Sequence, residues 1–429
     1  MRRRLAATLL LAAAPAAAQQ PPAPAAATTV AADPAVRARA DQLSLFLGGS
    51  GDAESLFSPA FRSAIPAEQF RGIADNLTAD LGQPRGVARV RAFGQGRAEI
   101  VIGFERGSAT IDLALEPGDP HRIAELRITA RALANDSMAA VGSAVAALPG
   151  HAAIGVYAFG DGAPQPLLEQ DADHAMPLGS AFKLWVLAEA ERQVAAGQRR
   201  WADVVRLGPP SLPSGITQGW PRGEPVTVQT LATLMISISD NSATDTLMRT
   251  LGRAAVDRAA AGSGLSTPVL TTREAFVLKG DAALRWRWSA MTPPARAALL
   301  ARDQARFDVT PLATGIFAKG PVATDTAEWF ASPRATAALL DRLRQSSDAT
   351  TRDILAINPG VPTTVAERFG YLGFKGGSEP GVLTLNYLLR TRSGHAYAVA
   401  AAWHRTDGET PEAPFAALVT RALTLLADR

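Results

Sequence analysis

The sequence predicts an α+β (or α/β) protein with two folded units, a small α+β unit at residues 34–130 and a larger unit at residues 131–429. The length of 429 residues is enough for two or three domains. A 47% hydrophobic and 19% charged content is typical of a globular protein. In the larger unit, strand-like segments lie at both ends with helical segments between them. This order predicts an antiparallel sheet built from both ends of that unit, with an inserted helical layer.

The first 33 residues are predicted to be a targeting segment and a linker. Arg2, Arg3 and Arg4 precede an apolar run at residues 5–14, and small residues follow at 16–18. This pattern is typical of a secretory signal peptide at residues 1–18, and the run is too short to span a membrane. Residues 19–33 form a flexible leader rich in Gln, Pro, Ala and Thr. We therefore expect a periplasmic or secreted protein that has no membrane association after signal removal.

The composition excludes several classes of site. The chain has no cysteine, which rules out disulfides and thiolate metal sites. A net charge of +3, with no basic run beyond the N-terminal arginines, predicts no nucleic-acid binding. The histidines show no metal-ligand spacing and are interpreted as structural; they are His121, His151, His174, His395 and His404. We expect no metal and no cofactor.

The small unit contains two helical segments followed by four strand-like segments. Apolar residues recur at helical spacing in residues 36–47 and 66–81. The strand-like segments are residues 86–93, 97–104, 108–115 and 123–128. Helices followed by a meander predict an antiparallel sheet curled around a helix pair. The acidic residues of this unit form no acid–base–nucleophile group, and we expect the unit to support or gate a site elsewhere or to mediate oligomer formation; they include Asp41, Glu54, Glu68 and Glu105.

The larger unit begins with a helix and a strand and ends with strands and a closing helix. Its first elements are predicted at residues 138–148, 152–159 and 180–194, and Thr227 is predicted to cap a further helix. The C-terminal strands are predicted at residues 372–375, 384–391 and 396–403, and the closing helix at 411–426. The first of these strands is expected to end at Gly376 and Gly377.

Lysine is rare in this chain, which draws attention to each one. Among the 43 Lys and Arg residues, four are lysine, namely Lys183, Lys279, Lys319 and Lys375. Arginine suffices where only positive charge is needed, so a retained lysine suggests a need for a titratable amine. Lys183 follows Ser180 by one helical turn, which places the amine and the hydroxyl on one helix face.

Three short motifs occur in a definite order. They are Ser180-Ala181-Phe182-Lys183, Ser239-Asp240-Asn241 and Lys375-Gly376-Gly377. Each alone has an ordinary explanation, as a helix cap, a turn or a hairpin break. Ser180 opens a predicted helix, the second motif ends another, and Lys375 ends a predicted strand. In that combination and context, the motifs indicate a serine acyl-transfer site.

With these motifs, the chain resembles the class A serine β-lactamases and the related penicillin-binding proteins over most of residues 131–429. The separation of 59 residues between Ser180 and Ser239 is close to that of class A enzymes. Residues 177–183 and 374–381 are similar to a subfamily that includes a β-lactamase-like protein of a clavulanic acid cluster. In that subfamily, a small NTF2-like (cystatin-like) domain, here residues 34–130, precedes the β-lactamase-like domain. The resemblance implies a secreted serine hydrolase with a small-molecule β-lactam or peptidoglycan-like substrate.

The resemblance and the chemistry of the side chains together suggest roles for the first two motifs. Ser180 is the expected nucleophile, and a serine hydroxyl needs a base to take its proton. Lys183 can be that base if burial keeps its amine neutral. Ser239 is expected to pass the proton to the departing nitrogen. Asn241 is expected to hold Lys183 and to hydrogen-bond a substrate amide.

The third motif is expected to bind the substrate. Lys375 supplies positive charge for the substrate carboxylate, and Gly376, Gly377 and Ser378 line its path. The backbone N–H groups of Ser180 and Ser378 are the expected oxyanion hole. Gly376 departs from the family, since a hydroxyl residue usually follows the motif lysine. One hydrogen bond to the carboxylate is then lost, and Ser378 can partly replace it.

The water-activating base is the second departure. Class A enzymes deacylate with a glutamate whose loop also carries an asparagine. Glu274 lies at a suitable distance along the chain from Ser239, but its neighbours do not match that loop. Glu274 is therefore a candidate base, and a structural ion pair with Arg273 is the alternative. The chain is also longer than class A enzymes before Lys375; the excess is expected at residues 279–332, with Trp286, Trp288 and Trp329.

Three functions remain open from the sequence. The first is a β-lactamase acting through Ser180. The second is a D-alanyl-D-alanine peptidase, an esterase or a slowly deacylating penicillin-binding protein, since the same residues serve each chemistry. The third is a non-catalytic protein that uses the motifs to bind a ligand.

Overall fold

The computed structural model describes residues 34–94, 96–313, 315–427 and 429. The predicted signal peptide and the leader at residues 19–33 lie outside the described residues. None of the helices within the described ranges is both long and apolar enough to cross a membrane.

The described chain begins with four helices and a four-stranded antiparallel meander. The helices are α1 (Pro34–Leu47), α2 (Ala53–Leu56), α3 (Pro59–Ala64) and α4 (Ala67–Leu81). The strands are β1 (Pro84–Gly94), β2 (Arg97–Phe104), β3 (Gly107–Leu115) and β4 (Ile123–Leu133), in that order in the sheet. The two long helices and all four strands are confirmed, and β4 continues five residues further than the strand predicted at 123–128.

The core of this part lies between the two long helices and the sheet. Leu43 of α1 and Leu77 of α4 are buried in one cluster with Ile100 and Ile111 of the sheet. These residues lie on one face of each helix and on alternate positions of the strands, as the periodicity requires. The predicted helix pair packed on an antiparallel sheet is therefore confirmed.

The described part of the chain after β4 contains a second, five-stranded sheet. Its strands are β5 (His151–Phe159), β6 (Gln165–Gln170), β11 (Phe369–Glu379), β12 (Val382–Thr391) and β13 (Ala396–His404), in the order β11-β12-β13-β5-β6. Two-stranded ribbons are formed by β7 (Met176–Pro177) with β10 (Phe330–Ala331) and by β8 (Val204–Arg206) with β9 (Pro225–Thr227). The five-stranded sheet thus combines strands from both ends of this part, as predicted. All named strand pairs are antiparallel, so the fold is α+β rather than α/β.

Helices fill the interval between the two groups of strands and cover the sheet. The first are α5 (Met138–Ala146), α6 (Lys183–Ala195), α7 (Val228–Ser237), α8 (Asn241–Leu251), α9 (Arg253–Ala261) and α10 (Thr272–Gly280). The others are α11 (Ala282–Ser289), α12 (Pro293–Arg302), α13 (Gln304–Val309), α14 (Pro333–Gln345), α15 (Ala349–Ala356), α16 (Thr363–Ala366) and α17 (Glu412–Ala427). The Thr227 side chain accepts from Thr230 N, which confirms the predicted cap of α7.

Strand β11 does not end where the sequence suggested. The glycine pair was expected to break it, but the strand continues through Gly376 and Gly377 to Glu379. Both glycines are paired in register with β12, opposite Leu385 and Thr384. The sheet ladder therefore outweighs the breaking tendency of glycine at this edge.

The segment between Lys279 and Ser332 is helical in its first part, up to Val309, and the described residues from 310 to 329 form turns and loops. It contains α11, α12 and α13, which pack on the core through Trp288 and Phe307. Trp329 is buried, whereas Trp286 is 74% exposed. The first part of this segment thus extends the helical layer.

Candidate active site

Ser180 lies in a tight 3₁₀ turn, Gly179–Phe182, which leads directly into α6. Gly179 has a φ of +49°, a conformation that glycine adopts at little steric cost. The Phe182 ring stacks on Trp329 with centroids 4.0 Å apart, which anchors the turn. The turn leaves Ser180 half-buried at a cleft and places Lys183, the first residue of α6, in the core.

Lys183 is fully buried and its ammonium is surrounded by acceptors. Its Nζ donates to the backbone O of Ser239 over 2.6 Å, to Ser239 Oγ over 3.0 Å and to Asn241 Oδ1 over 2.8 Å. An ammonium can donate in all three contacts, whereas a neutral amine can donate in two and accept from the Ser239 hydroxyl in the third. The structure records no hydrogen bond between the described side chains of Ser180 and Lys183. Ser239 and Asn241 lie 56 and 58 residues from Lys183 along the chain. They therefore hold the Lys183 amine one helical turn after Ser180.

The second motif lies between α7 and α8 rather than at the end of a helix. Ser239 has a φ of +59°, which is uncommon for a residue other than glycine and is often found at functional sites. Asp240 caps α8 and accepts from the backbone and hydroxyl of Thr217, so its carboxylate serves the local fold. Asn241 Nδ2 donates to the backbone O of Leu212 over 3.0 Å. One amide hydrogen of Asn241 is therefore already committed, and the other remains for a ligand.

Lys375 enters the site from β11 and meets the same serine. It is 5% exposed, and its Nζ donates to Ser239 Oγ over 3.2 Å and to the backbone O of Gly376 over 2.5 Å. A Cβ atom at Gly376 would lie 2.8 Å from the Phe374 ring and 3.1 Å from the backbone O of Thr384. The crowding explains why glycine replaces the hydroxyl residue expected after the motif lysine.

The edge of β11 packs backbone to backbone against the serine turn. A Cβ atom at Gly377 would lie 2.1 Å from the backbone O of Leu178 and 2.6 Å from Ser180 N. Thr384 Oγ1 donates to the same Leu178 oxygen over 3.0 Å. Ser378 follows and lines the cleft. The contact brings the backbones of Ser180 and Ser378, the expected oxyanion donors, to the same rim.

The lysines of the site lie in surroundings that disfavour their charge. Three of the four lysines are buried, Lys183, Lys279 and Lys375, and the fourth, Lys319, is exposed. Burial is the main cause that lowers the pKa of Lys183 well below its usual value; the charge of Lys375 adds to this, and Asp245 and Asp240 oppose it. Burial lowers the pKa of Lys375 to about 7. Both amines can therefore lose their protons at far lower pH than an exposed lysine.

The cleft has a volume of about 320 Å³ and is lined by residues of all three motifs, although Lys183 and Asn241 lie behind the lining residues. Apolar side chains of Ile236, Phe374 and Leu385 form part of its walls. Within the described lining, Lys375 is the cation and Glu412 is the acidic residue. The hydroxyl and backbone groups come from Ser180, Ser214, Ser237, Ser239, Asn358, Gly376, Gly377, Ser378 and Thr384. The site therefore combines a nucleophile, two titratable amines and a cleft whose size suits a small ligand.

Glu274 is buried in the first turn of α10 and both of its oxygens are engaged. Oε2 accepts from Thr271 N over 2.8 Å in a capping box, and Oε1 pairs with Arg253. Arg273 instead donates to backbone oxygens, including that of Phe307 over 2.8 Å. The ion pair suggested between Arg273 and Glu274 is therefore wrong, since the partner of Glu274 is Arg253.

Asp245 is a residue that the motifs did not reveal. Its carboxylate accepts from Thr272 N over 2.7 Å, from Arg273 N over 2.9 Å and from Ser211 Oγ over 2.5 Å. It thereby ties the start of α10 to the loop before α7. Asp245 lies four residues after Asn241 on α8, and this one-turn spacing is the sequence signal that could have indicated it.

Three residues on the far side of the sheet come together in spite of their unremarkable spacing. Polar atoms of His151, Asp171 and His174 lie within 4.8 Å of one another, and His151 is hydrogen-bonded to Asp171. A metal bound by imidazole lies near the plane of each ring. The two histidine rings are stacked 4.1 Å apart with planes only 25° from parallel, so their planes do not meet at bonding distance. We interpret the group as a surface hydrogen bond between His151 and Asp171, with His174 stacked on the His151 ring.

A family model described as "Beta-lactamase enzyme family" matches residues 136–424. No curated protein matches the chain.

Among solved structures, a point mutant of PBP-A in an acyl-enzyme complex with penicillin G is 18% identical, covers 68% of this chain and 96% of its own, and has a TM-score of 0.48. The TLA-3 extended-spectrum β-lactamase is 13% identical, with coverages of 68% and 97% and a TM-score of 0.47. A β-lactamase from Sphaerobacter thermophilus DSM 20745 is 20% identical, with coverages of 68% and 95% and a TM-score of 0.44. At these values the structural likenesses carry no argument about function.

Proposed function

The chain belongs to the beta-lactamase enzyme family, and we propose that it is an exported serine hydrolase that opens β-lactam amides through an acyl-enzyme on Ser180. The observation that carries the proposal is the setting of Lys183. Its amine is fully buried, its pKa is lowered chiefly by burial, and it lies one turn after a serine at the cleft. Burial favours the neutral form of this amine, and the neutral form can take the proton of a serine hydroxyl.

The proposed acylation moves one proton through three side chains. Ser180 Oγ bonds to the carbonyl carbon of the β-lactam as Lys183 Nζ takes the hydroxyl proton. The ring C–N bond then breaks, and Ser239 gives its hydroxyl proton to the departing nitrogen. Lys183 returns a proton to Ser239 across their 3.0 Å contact. The step ends with a neutral lysine, an intact Ser239 and an ester on Ser180.

The third motif is proposed to bind charge on the substrate. As the carbonyl becomes tetrahedral, its oxygen gains negative charge, which the N–H groups of Ser180 and Ser378 are proposed to stabilise. The proximity of the Gly377 backbone to Ser180 N supports this arrangement. Lys375, the cation of the described cleft lining, is proposed to attract the carboxylate of the substrate.

Slow deacylation is the second candidate function, and the contacts of Glu274 favour it. A carboxylate that accepts from Thr271 N and pairs with Arg253 has little freedom to take a proton from a hydrolytic water. An acyl-enzyme that forms through Ser180 would then persist, as in a penicillin-binding protein. A D-alanyl-D-alanine peptidase or an esterase would use the same residues with a different leaving group.

Mass spectrometry of the intact protein over time tests both candidates. Wild type and Ser180→Ala are each mixed with a penicillin and a cephalosporin, and the adduct and the hydrolysed product are measured together. A wild-type adduct that disappears as product accumulates supports a β-lactamase. An adduct that lasts for hours supports a penicillin-binding protein. Neither adduct nor product, or an adduct that also forms on Ser180→Ala, would contradict acylation at Ser180.

The N-terminal part is proposed to be a separate NTF2-like domain at residues 34–130, with the hydrolase domain at 131–429. The separate sheet and core of residues 34–133 support this division. Contacts of β4 with α16 and α17 support a role in bracing the hydrolase domain. Unchanged kinetics, thermal stability and mass in solution after deletion of residues 19–130 would contradict that role. Export rests on residues 1–18, and the N-terminal sequence of the mature protein tests it.

A further inference from the structure

Three charged side chains form a buried group behind the cleft. Lys279 Nζ pairs with Glu328 Oε1 at 2.5 Å and also with Glu379. The side chains are 1%, 0% and 10% exposed for Lys279, Glu328 and Glu379. The residues come from the end of α10, the segment before β10 and the end of β11. We call them the Lys279 cluster.

The charge balance of the Lys279 cluster is unusual for a protein interior. Two carboxylates share one ammonium, and buried charge is costly unless it is paired. Burial and the nearby Glu328 raise the pKa of Glu379 to about 8, against the opposing charge of Lys279. At neutral pH the cluster therefore holds a carboxyl proton and is close to neutral. Buried ion groups rarely add net stability over apolar residues, so a role in fixing the local geometry is the better explanation.

One arm of the Lys279 cluster reaches the peptide that precedes the nucleophile. Glu328 Oε2 accepts a hydrogen bond from Gly179 N over 3.1 Å. Gly179 is in the left-handed region, and its peptide leads directly to Ser180. A side chain 149 residues further along the chain thus fixes the backbone on which the nucleophile sits.

The other arm reaches the opposite rim of the cleft. Glu379 directly follows Ser378 at the end of β11. The two arms converge, because a Cβ atom on Gly179 would lie 3.2 Å from Ser378 N. Lys279 therefore joins, through one carboxylate on each side, the two backbone segments that carry the N–H groups of Ser180 and Ser378.

We propose that Lys279, Glu328 and Glu379 act as one positioning unit that holds the backbone donors of Ser180 and Ser378 in register for the acyl-transfer step. This inference rests on the proposed acylation at Ser180. The three residues touch neither the substrate nor the reacting atoms. They act by restraining the Gly179 peptide, since a small misplacement of reacting groups can cost about 100-fold in rate.

Glu328→Ala is the decisive variant because it removes the link to Gly179 and leaves Lys279 paired with Glu379, without an unpaired charge. We expect the acylation rate constant to fall by about 10- to 100-fold, with little change in the non-covalent binding constant. Glu328→Gln retains an acceptor for Gly179 N and should lose less. Glu379→Gln retains an amide oxygen that can accept from Lys279, so it should also lose less than Glu328→Ala.

Asp136→Ala is the matched control. Asp136 forms a bidentate pair with Arg421 at 2.7 and 2.8 Å, and both side chains are largely buried, but the pair has no link to the cleft. This variant should lose thermal stability without slower acylation. Equal slowing by Glu328→Ala and Asp136→Ala would show a general structural effect and would overturn the inference.

Hydrogen exchange provides a readout that does not depend on chemistry at Ser180. In folded Glu328→Ala, the amides of peptides covering residues 176–183 should exchange faster than in wild type and in Asp136→Ala. Unchanged exchange, or wild-type acylation in a folded Glu328→Ala protein, contradicts the positioning unit. If wild type forms no adduct with any β-lactam, the proposed function fails, and exchange alone still decides whether Glu328 restrains the turn.

Discussion

Lys183 and Lys375 donate to one shared acceptor, the hydroxyl oxygen of Ser239, over 3.0 Å and 3.2 Å. These bonds occupy both lone pairs of the oxygen, which leaves the hydroxyl hydrogen for a third partner. A charge on Lys375 disfavours a charge on Lys183, and this repulsion adds to the effect of burial in lowering the pKa of Lys183. The protonation states of the two lysines are therefore linked, and both bear on acylation.

Lys183→Arg is expected to abolish acylation while the protein stays folded. A guanidinium does not give up its proton near neutral pH, so it cannot act as the base. Loss of general-base catalysis costs about 100- to 10,000-fold, measured as the rate of adduct formation by mass spectrometry. Lys319→Arg, at the exposed lysine, is the control and should acylate as wild type does. Rapid acylation of folded Lys183→Arg would show that another group takes the proton.

Lys375 is expected to set an alkaline limit to acylation by substrates that carry a carboxylate. Its pKa is lowered by burial to about 7, so the charge that attracts the carboxylate is present below that pH and lost above it. The value of kcat/KM, or the acylation rate constant divided by the binding constant, should fall as the pH rises through about 7. In Lys375→Arg the charge persists at alkaline pH, so the fall in kcat/KM with rising pH should disappear.

A neutral activated ester without a carboxylate is the control for the pH profile. Its acylation does not need the charge of Lys375, so its rate should not show the alkaline decrease that we assign to that residue. The same alkaline decrease with both substrates, or its persistence in Lys375→Arg, would mean that a different group titrates.

Gly377→Ala is expected to abolish acylation by separating β11 from the serine turn. The added methyl carbon would lie 2.1 Å from the backbone O of Leu178 and 2.6 Å from Ser180 N, so the backbones must move apart. Loss of an oxyanion donor typically costs about 100- to 1,000-fold, and we expect a loss of this size. Gly160→Ala, where no atom lies within 4 Å of the added carbon, should behave as wild type in both Tm and adduct formation.

Glu274→Gln is expected to lower Tm without changing the lifetime of the acyl-enzyme. The carboxylate pairs with Arg253 and completes a capping box with Thr271, and the amide weakens both contacts. A longer adduct lifetime in Glu274→Gln than in wild type would show instead that Glu274 activates the hydrolytic water. The comparison needs only the time course of adduct decay after excess β-lactam is removed.

The sequence predicted the functional residues that lie close together along the chain or that belong to a recognised motif. Ser180 and Lys183 are one turn apart, and the structure places the second and third motifs around the lysine. Glu274 shows the limit of this approach, because its partner Arg253 lies 21 residues away and outside every motif. The Lys279 cluster joins residues 49 and 100 positions apart, and only the folded chain shows that they meet.

The type and bounds of a helix or strand were predictable where the periodicity of apolar residues determines them. They were less predictable where tertiary contacts determine them. Alternating apolar residues predicted the strands of the first sheet and four of the five strands of the second within a few residues, but β6 was not predicted. Gly376 and Gly377 appeared to end β11, but pairing with β12 carries the strand past them. The predicted helix at 180–194 begins three residues later, because Gly179 starts a 3₁₀ turn that holds Ser180 at the cleft.

The burial of three of the four lysines has a practical consequence for chemical labelling. Lys183, Lys279 and Lys375 are at most 5% exposed, whereas Lys319 is exposed. An amine-reactive dye or resin should therefore attach to the side chain of Lys319 in preference to the other three lysines. Lys319 lies in a turn before β10 and is not among the residues that line the cleft. The folded protein thus offers a natural tether for surface attachment that leaves Ser180 accessible.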